Sequence, residues 1–379
     1  MNIVKKAGCI LINMKEKKIA LVLRNGNYSF PKGHLEEMET IKDCAKRETI
    51  EETGHEVEIL GEEISIIRYK SSGGEDVENH FFIGIDTGRT NKKIAEKDKE
   101  KTEWFEIDKV KERLAYQNLK DTWNGIKPKI EKIVNELQLD ILISKQDKYY
   151  YSYIKLKDES YIPTNIYYIE DLNLDAIEQY NFNNHIIYFL CNLSLNNKVI
   201  SALKNKNCYF INKNFFLHNY TKLEVQQVLN KNNIDIPEIV TINGLNKIQY
   251  PIFCKENSHV GINLIAYSEN TLVKFFCKFN ISDFYCEKII TGGKEMKLYC
   301  INNIVYDNNK VIKNKQLMEL FRKITNSLQI ETYSADIINK NIVIDINPNS
   351  GFFGSNIARK NFLKYVIDCS KDIINNYGL

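Results

Sequence analysis

The segment of residues 33–55 constrains this chain more than any other, and it reads GHLEEMETIKDCAKRETIEETGH. A short helix between its two glycines brings Glu48, Glu51 and Glu52 to one face, because these positions lie three and four residues apart. Like charges on one face repel one another, and a divalent cation such as Mg²⁺, which takes oxygen ligands, relieves that repulsion beside a substrate phosphate. A solvated acidic face would explain the charge but neither the bracketing glycines nor Arg47. The pattern therefore indicates a metal-and-phosphate site.

The same segment resembles the Nudix box, which is a glycine, five residues, a glutamate, seven residues, and then Arg-Glu-x-x-Glu-Glu-x-Gly. Each charged and glycine position of that pattern is present. Thr49 and His55 depart from it, since a bulky apolar residue is usual at both places. These departures concern local packing and leave the chemistry of the box intact.

The resemblance to the Nudix box implies a mechanism. Its implied ligands for Mg²⁺ or Mn²⁺ are Gly33, through its carbonyl, and the carboxylates of Glu48, Glu51 and Glu52. Arg47 would pair with a carboxylate and orient the helix. The resemblance implies that Arg47 and the three glutamates are the catalytic residues of this domain. One of these glutamates, or one from a later loop, would deprotonate the attacking water, and which residue does so stays open. Lys32 and Tyr28 are either phosphate and base contacts or a surface lysine and a packed tyrosine.

Flanking segments have the pattern of a small mixed sheet. Residues 7–13, 19–23, 58–69 and 80–85 read as strands, and residues 101–116 read as a strand followed by a helix. The phrase FPKGH and the later WF and RLAY resemble the Nudix branch that splits dinucleoside polyphosphates. Diphosphoinositol phosphate hydrolases and RNA 5′-end pyrophosphohydrolases share parts of the pattern, so a capped RNA end stays open as a substrate.

Length predicts a second domain, because 379 residues exceed what one hydrophobic core usually supports. A helix-like stretch over residues 118–137 precedes a new strand at 140–144, and we place the boundary at 137. No Pro/Gly/Ser linker separates the parts, so we expect them to pack together. The net charge of +3 is too small to indicate nucleic acid, no apolar run approaches membrane-spanning length, and nine scattered cysteines suggest reduced thiols in a cytoplasmic protein.

Four chemical segments follow one another in the second part. A helix that ends near residues 232–233 precedes a strand carrying Pro237, and a strand with Lys255 leads through a polar turn to a second strand. The segment FYCEKIITGGKEMK follows. Last comes a predicted hairpin with Asp336, Asp345 and Asn347, whose oxygens suit Mg²⁺ if they share a face.

This order resembles the ATP-grasp superfamily over residues 138–379, with features of D-alanine–D-alanine ligases and RimK-type glutamate ligases. By this resemblance, residues 138–235 form the N-terminal portion of the ATP-grasp domain, and residues 236–379 form its ATP- and metal-binding portion. The ATP contacts that it implies are Lys222, Lys255, Ser258, His259, Gly261, Glu287, Lys288, Ile290 and Glu295. It further implies Mg²⁺ ligands at Asp336, Asp345 and Asn347, and Lys297 as the cation that steadies the transferred phosphoryl group. Two departures are a covering loop poor in glycine, ENSHVG, and Ser334 where a related ligase has an arginine. A third is that residues 141–203, where the first lobe and part of the acceptor site are expected, are few and carry no readable pattern.

The expected fold class is therefore α/β and α+β: a Nudix α-β-α sandwich with a mixed sheet, followed by a two-lobed ATP-grasp domain. The expected function is bifunctional, with Mg²⁺-dependent hydrolysis of a dinucleoside-polyphosphate-like compound and ATP-dependent carboxylate–amine ligation. Two alternatives remain for the second domain: an inositol-phosphate-like kinase, or a nucleotide sensor that regulates the first domain. The substrates of both domains and the oligomeric state stay open.

Overall fold

The computed structural model describes residues 3–91, 94, 100–145, 150–180, 182–190, 201–203, 206, 208–241, 248–257 and 261–375. Its strands are β1 (Val4–Asn13), β2 (Lys18–Arg24), β3 (Asn27–Ser29), β4 (Lys32–His34), β5 (His55–Lys70), β6 (Asp76–Arg89), β7 (Lys101–Glu106), β8 (Gln138–Ile143), β9 (Thr164–Tyr168), β10 (His185–Phe189), β11 (Tyr209–Phe210), β12 (Ile239–Val240), β13 (Ile252–Glu256), β14 (Asn263–Ala266), β15 (Phe284–Lys288), β16 (Glu295–Ile301), β17 (Ile304–Tyr306), β18 (Thr332–Ile338) and β19 (Ile342–Asn347). Its α-helices are α1 (Ile41–Thr53), α2 (Ile107–Arg113), α3 (Gln117–Glu136), α4 (Tyr150–Glu159), α5 (Leu174–Gln179), α6 (Lys213–His218), α7 (Lys222–Lys231), α8 (Glu269–Phe276), α9 (Lys315–Leu328) and α10 (Asn356–Asn375).

The first sheet is mixed and lies between helices. Its strands run in the order β3-β2-β1-β6-β5, with β4 paired to β1 and β7 paired to β2. The β1–β6 pair is parallel and the other pairs are antiparallel. Helix α1 covers one face, where Cys9 packs with Ala45 and Ile50, while α3 covers the other through Trp123 and Ile130. This is an α-β-α sandwich, as the sequence predicts.

Local sequence sets both ends of α1. The Thr40 hydroxyl caps the first turn by accepting from the Asp43 amide at 3.1 Å. At the other end, Gly54 has φ of 72° and donates its amide to the carbonyl of Ile50 at 2.9 Å. A left-handed residue at that position suits glycine, so the second glycine of the box ends the helix.

The remaining chain forms three further sheets. A parallel sheet has the order β11-β10-β8-β9, and two antiparallel sheets follow with the orders β12-β15-β13-β14 and β17-β16-β18-β19. The two antiparallel sheets face a common cleft lined by Phe253, Glu287, Ile338 and Ile344. Pro237 lies before β12 and not within a strand, which corrects the sequence expectation, because β12 begins only at Ile239.

The two halves of the chain pack directly against one another. Ile10 of β1, Ile130 of α3, Leu139 of β8 and Phe362 of α10 all belong to one continuous buried cluster. The 137 boundary falls between α3 and β8, and the core continues across it. No helix among the described residues is long and apolar enough to cross a membrane.

Candidate active sites

Arg47 organises the acidic face of α1. Its Nε and Nη2 donate to the two carboxylate oxygens of Glu39 at 2.8 and 2.9 Å, a bidentate pair that ties the preceding loop to the helix. Its Nη1 donates to Glu48 at 2.8 Å and to Glu51 at 3.0 Å, and its Nη2 donates to the carbonyl of His34 at 2.9 Å. Arg47 therefore hydrogen-bonds to three carboxylates, and its catalytic role stays a prediction.

Gly33 allows β4 to approach the carboxylate of Glu48. A Cβ atom at this position would collide with the carboxylate carbon and both oxygens of Glu48. Burial raises the pKa of Glu48 even though Arg47 acts to lower it. The first glycine of the box therefore leaves room for a partly buried carboxylate whose pKa burial has raised.

Glu52 is held from the opposite side by the chain at Lys32. Its Oε2 accepts the backbone amide of Lys32 at 2.9 Å. Burial raises the pKa of Glu52 to about 7, and the nearby Glu48 and Glu100 add to the rise while the Lys32 ammonium opposes it. Burial in turn lowers the pKa of Lys32. Tyr28 instead donates its hydroxyl to Glu103 at 2.6 Å.

The donor chemistry of this face fits a divalent cation. In the part of the chain that the structure describes, no three acidic, histidine or cysteine side chains already surround one point closely enough to hold an ion. Glu48 and Glu51 are instead drawn to Arg47, while Glu52 turns toward Lys32. The pKa values of Glu48 and Glu52 are raised because burial disfavours the charged carboxylates. A nearby cation would favour their ionisation. Hard oxygen donors of this kind match Mg²⁺ or Mn²⁺.

The two unusual residues of the box make polar contacts. Thr49 is fully buried, where its hydroxyl donates to the carbonyl of Ala45 at 2.7 Å and accepts the amide of Cys9 at 3.1 Å. The Nδ1 atom of His55 lies 3.0 Å from an Asp86 oxygen. Satisfied hydrogen bonds offset the cost of burying Thr49, so α1 keeps its packing on β1.

Lys255 is the buried cation of the second site. Its Nζ lies 2.6 Å from a carboxylate oxygen of Glu287 and donates to the carbonyl of Ile344 at 2.8 Å. Burial raises the pKa of Glu287, and Lys255 opposes that rise. Among the described residues the second oxygen of Glu287 has no hydrogen-bond partner. Lys255 therefore bridges the two antiparallel sheets, and an unpaired acceptor lies buried beside it.

The hairpin of β18 and β19 brings the expected metal-binding residues together. Asp336 and Asp345 are directly opposite one another across the two strands, while Asn347 opposes Ser334. The Lys297 amine lies 3.4 Å from Asp336 and the Lys222 amine lies 3.6 Å from Asp345. Burial raises the pKa of Asp336, and the charge of Asp345 contributes to that rise although Lys297 opposes it. Adjacent carboxylates of this kind fit a bound divalent cation.

The cleft between the sheets has a volume of about 160 Å³. Lys288 and Ile290 line it, but the Lys288 amine is paired with Glu238 at 2.7 Å. Glu295 is exposed at the start of β16 and Gly261 is exposed just before β14. The expected contacts Ser258 and His259 lie outside the described residues.

The apolar walls of the cleft were missed by sequence reasoning. Phe253, Ile265, Ile338 and Ile344 line the cavity beside Lys255. Phe253 follows from strand alternation, since it lies two positions from Lys255 and therefore on the same face. Ile265 lies directly opposite Phe253, a register that the sequence does not specify.

Known proteins are similar to separate parts of this chain. Residues 3–123 match the family model described as the NUDIX domain. A NUDIX hydrolase from Nitrosomonas europaea is similar at 20% identity with a TM-score of 0.30, over 34% of this chain and 90% of that one. D-alanine–D-alanine ligase from Bacillus anthracis complexed with ATP is similar at 14% identity with a TM-score of 0.47, over 64% of this chain and 100% of that one. The ATP-grasp ligase PsnB, complexed with the precursor peptide PsnA2 and AMPPNP, is similar at 10% identity with a TM-score of 0.43, over 62% of this chain and 97% of that one.

At these identities, the similarity to solved structures concerns the fold alone. The resemblance of the N-terminal part to the Nudix family is confirmed by the match of residues 3–123 to the NUDIX domain. The mixed sheet between helices that the sequence predicts for the first part is present in the structure.

Proposed function

We propose that this chain, with its NUDIX domain at residues 3–123, is a bifunctional enzyme. The first part hydrolyses a nucleoside-diphosphate-linked compound of the dinucleoside polyphosphate kind, and residues 138–379 use ATP to join a carboxylate to an amine. The main support for the first activity is the set of hydrogen bonds from Arg47. This side chain is paired with Glu39 and also donates to Glu48 and Glu51. Free thiols at the eight described cysteines support the cytoplasm as the compartment.

Each residue of the first site has a separate task. Glu48, Glu51 and Glu52, with the Gly33 carbonyl, would hold the divalent cation, which supplies an acidic bound water and charge stabilisation on the phosphate. Arg47 keeps two of these carboxylates oriented. Lys32 lies near Glu48 and Glu52 and adds positive charge where a phosphate would lie. A carboxylate of this set accepts the proton of the attacking water.

Hydrolysis of diadenosine tetraphosphate by the full chain, followed with Mg²⁺ and with excess chelator, tests the first activity. Glu52→Gln should lower kcat by roughly 100-fold or more, because it removes a buried carboxylate from the reacting centre. Glu37→Gln is the control, since Glu37 is an exposed glutamate in the loop between β4 and α1, and this variant should turn over normally. Full activity of Glu52→Gln would reject the assignment.

The second activity rests on the Lys255–Glu287 pair beside the Asp336–Asp345 hairpin. Lys255 and Lys222 would bind ATP phosphates, and Asp336, Asp345 and Asn347 would hold the accompanying Mg²⁺. The apolar cleft at Ile289 and Ile290 would take the adenine ring. The acceptor carboxylate takes the terminal phosphoryl group, and an amine then displaces phosphate to form the amide.

Acceptor-dependent release of ADP and phosphate, measured with a small-metabolite pool, tests this second activity. Asp345→Asn should abolish it, whereas Asp372→Asn, an exposed aspartate on α10, should leave it unchanged. ADP accompanied by a new phosphoester and no free phosphate would replace ligation by kinase chemistry. Nucleotide binding without acceptor-dependent turnover would reject both the ligase and the kinase activity and would favour a nucleotide sensor.

A further inference from the structure

Two cysteines lie directly opposite one another in the sheet beside the cleft. Cys254 of β13 and Cys286 of β15 are cross-strand partners. Both side chains are completely buried, and both thiols are free. Residues opposite one another in an antiparallel pair point to the same face, so the two thiols share one side of the sheet.

The hydrogen-bond pattern places this pair at a position of close approach. The amide of Asn257 donates to the carbonyl of Asp283 at 2.7 Å, and antiparallel pairs alternate between bonded and non-bonded positions. Asn257 and Asp283 therefore occupy a hydrogen-bonded position, and so do Lys255 and Tyr285, two residues further along each strand. The two cysteines lie one residue beyond that pair and occupy a non-hydrogen-bonded position. Non-bonded partners have Cα atoms about 4.5 Å apart. That spacing lies within the range of about 4.4–6.8 Å that a disulfide spans.

The two thiols also interact chemically. The Cys286 side chain, which lies across the strand pair, acts to lower the pKa of Cys254. The same interaction raises the pKa of Cys286. Thiolate is the form of cysteine that attacks a disulfide, so one thiol of this facing pair can act as the nucleophile and the other as the resolving thiol.

We propose that Cys254 and Cys286 are an oxidisable dithiol that closes to a disulfide by exchange with a low-molecular-weight disulfide. The Cys254 thiolate attacks one sulfur of the small disulfide and releases one small thiolate, forming a mixed disulfide. Cys286 loses its proton and attacks the Cys254 sulfur, which releases the second small thiolate. The protein loses two electrons and two protons in total, and the small disulfide is reduced to two thiols.

Exchange requires the sheet to open locally, because both thiols are buried. The cluster that covers them is small: its fully buried members besides the cysteines are Ile252, Ala266 and Leu272. A small cluster opens at less cost than the global core. Lys255 and Glu287 follow the two cysteines directly in sequence and point to the cleft, so a nucleotide bound there would oppose this opening. This last link depends on the ATP site proposed above.

The test uses the full chain with equal concentrations of oxidised and reduced glutathione, followed by alkylation and peptide mass spectrometry. We expect a peptide that links residues 254 and 286. Cys277→Ser, which changes an exposed cysteine, should leave the linked peptide unchanged, whereas Cys254→Ala should remove it. Free thiols at both positions of the wild type, with glutathione attached only to Cys277, would overturn the proposal without recourse to any variant.

A second arm separates this proposal from the proposed ATP site. ATP with Mg²⁺ at ten times its measured Kd should slow formation of the linked peptide about tenfold, since ligand binding reduces the population of the open state. Linked peptide that forms at the same rate with and without ATP would contradict nucleotide binding in this cleft. The dithiol would still be supported by that result, because the disulfide forms in both samples.

Discussion

The ionisation of Glu52 makes the stability of the metal-free protein depend on pH in a defined direction. Burial raises its pKa from 4.5 to about 7. The folded state therefore keeps the Glu52 proton up to about pH 7, whereas the unfolded chain loses it near pH 4.5. Between these values the folded state binds more protons, so the contribution of Glu52 to the free energy of unfolding falls as pH rises. At about 1.4 kcal/mol per pKa unit, the difference between 4.5 and about 7 makes the total fall at most about 3.5 kcal/mol.

Glu52→Gln removes this contribution, because an amide stays neutral at every pH in this range. The free energy of unfolding of the variant minus that of the wild type should increase by up to about 3 kcal/mol between pH 5 and pH 8. Urea denaturation followed by circular dichroism, with chelator present, measures this difference. Adding Mg²⁺ at pH 8 should reduce it, since the ion stabilises only a site with the Glu52 carboxylate.

Exposed Glu37 supplies the control for this pH effect. The difference between Glu37→Gln and the wild type should stay constant between the two pH values. Parallel pH profiles for the Glu52→Gln variant and the wild type would refute the reasoning, because Glu52 would then ionise alike in the folded and unfolded chains.

Three further changes test local features of the structure. Gly33→Ala should lower kcat/KM for the dinucleotide roughly 10- to 100-fold, because the added methyl group displaces the Glu48 carboxylate. The free energy of unfolding from urea denaturation should change by less than about 1 kcal/mol, since the flexible end of the Glu48 side chain can move. Met38→Gly should raise the free energy of unfolding by about 1 kcal/mol, because Met38 is fully exposed and has φ of 66°; an unchanged urea midpoint would contradict this. Asn212→Ala should lower the free energy of unfolding by about 3 kcal/mol in the same assay. The buried side chain of Asn212 donates through Nδ2 to the Thr332 carbonyl at 2.7 Å and accepts the Thr332 backbone amide at Oδ1 at 2.9 Å. A loss below about 1 kcal/mol would count against that role.

Local pattern predicted the box helix and the hairpin well. The spacing of Glu48, Glu51 and Glu52 depends only on helical periodicity, and the glycines on either side follow from backbone geometry and close approach. In the same way, the hairpin that carries Asp336 and Asp345 is a contact between neighbours in sequence. Features of this kind are set within one or two elements, so the sequence is sufficient to find them.

Contacts between distant segments were beyond prediction from the sequence. The carbonyl of Ile344 that accepts from Lys255 lies 89 residues away, and a backbone group carries no residue signature. The pairing of Lys255 with Glu287 likewise depends on the register of β13 against β15. Thr49 appeared as a departure from an apolar pattern, and its role required knowing that the Cys9 amide lies beside it. Such contacts arise from tertiary packing, which periodicity does not encode.

The central claim, two independent active sites in one chain, is tested most directly by a phosphorus NMR time course. Wild type, Glu52→Gln and Asp345→Asn are each incubated with diadenosine tetraphosphate, ATP, Mg²⁺ and a small-metabolite acceptor pool. We expect Glu52→Gln to lose cleavage of the dinucleotide and keep acceptor-dependent formation of ADP and phosphate, and Asp345→Asn to show the reverse. Loss of both activities in either variant, or of neither in both, would contradict the account.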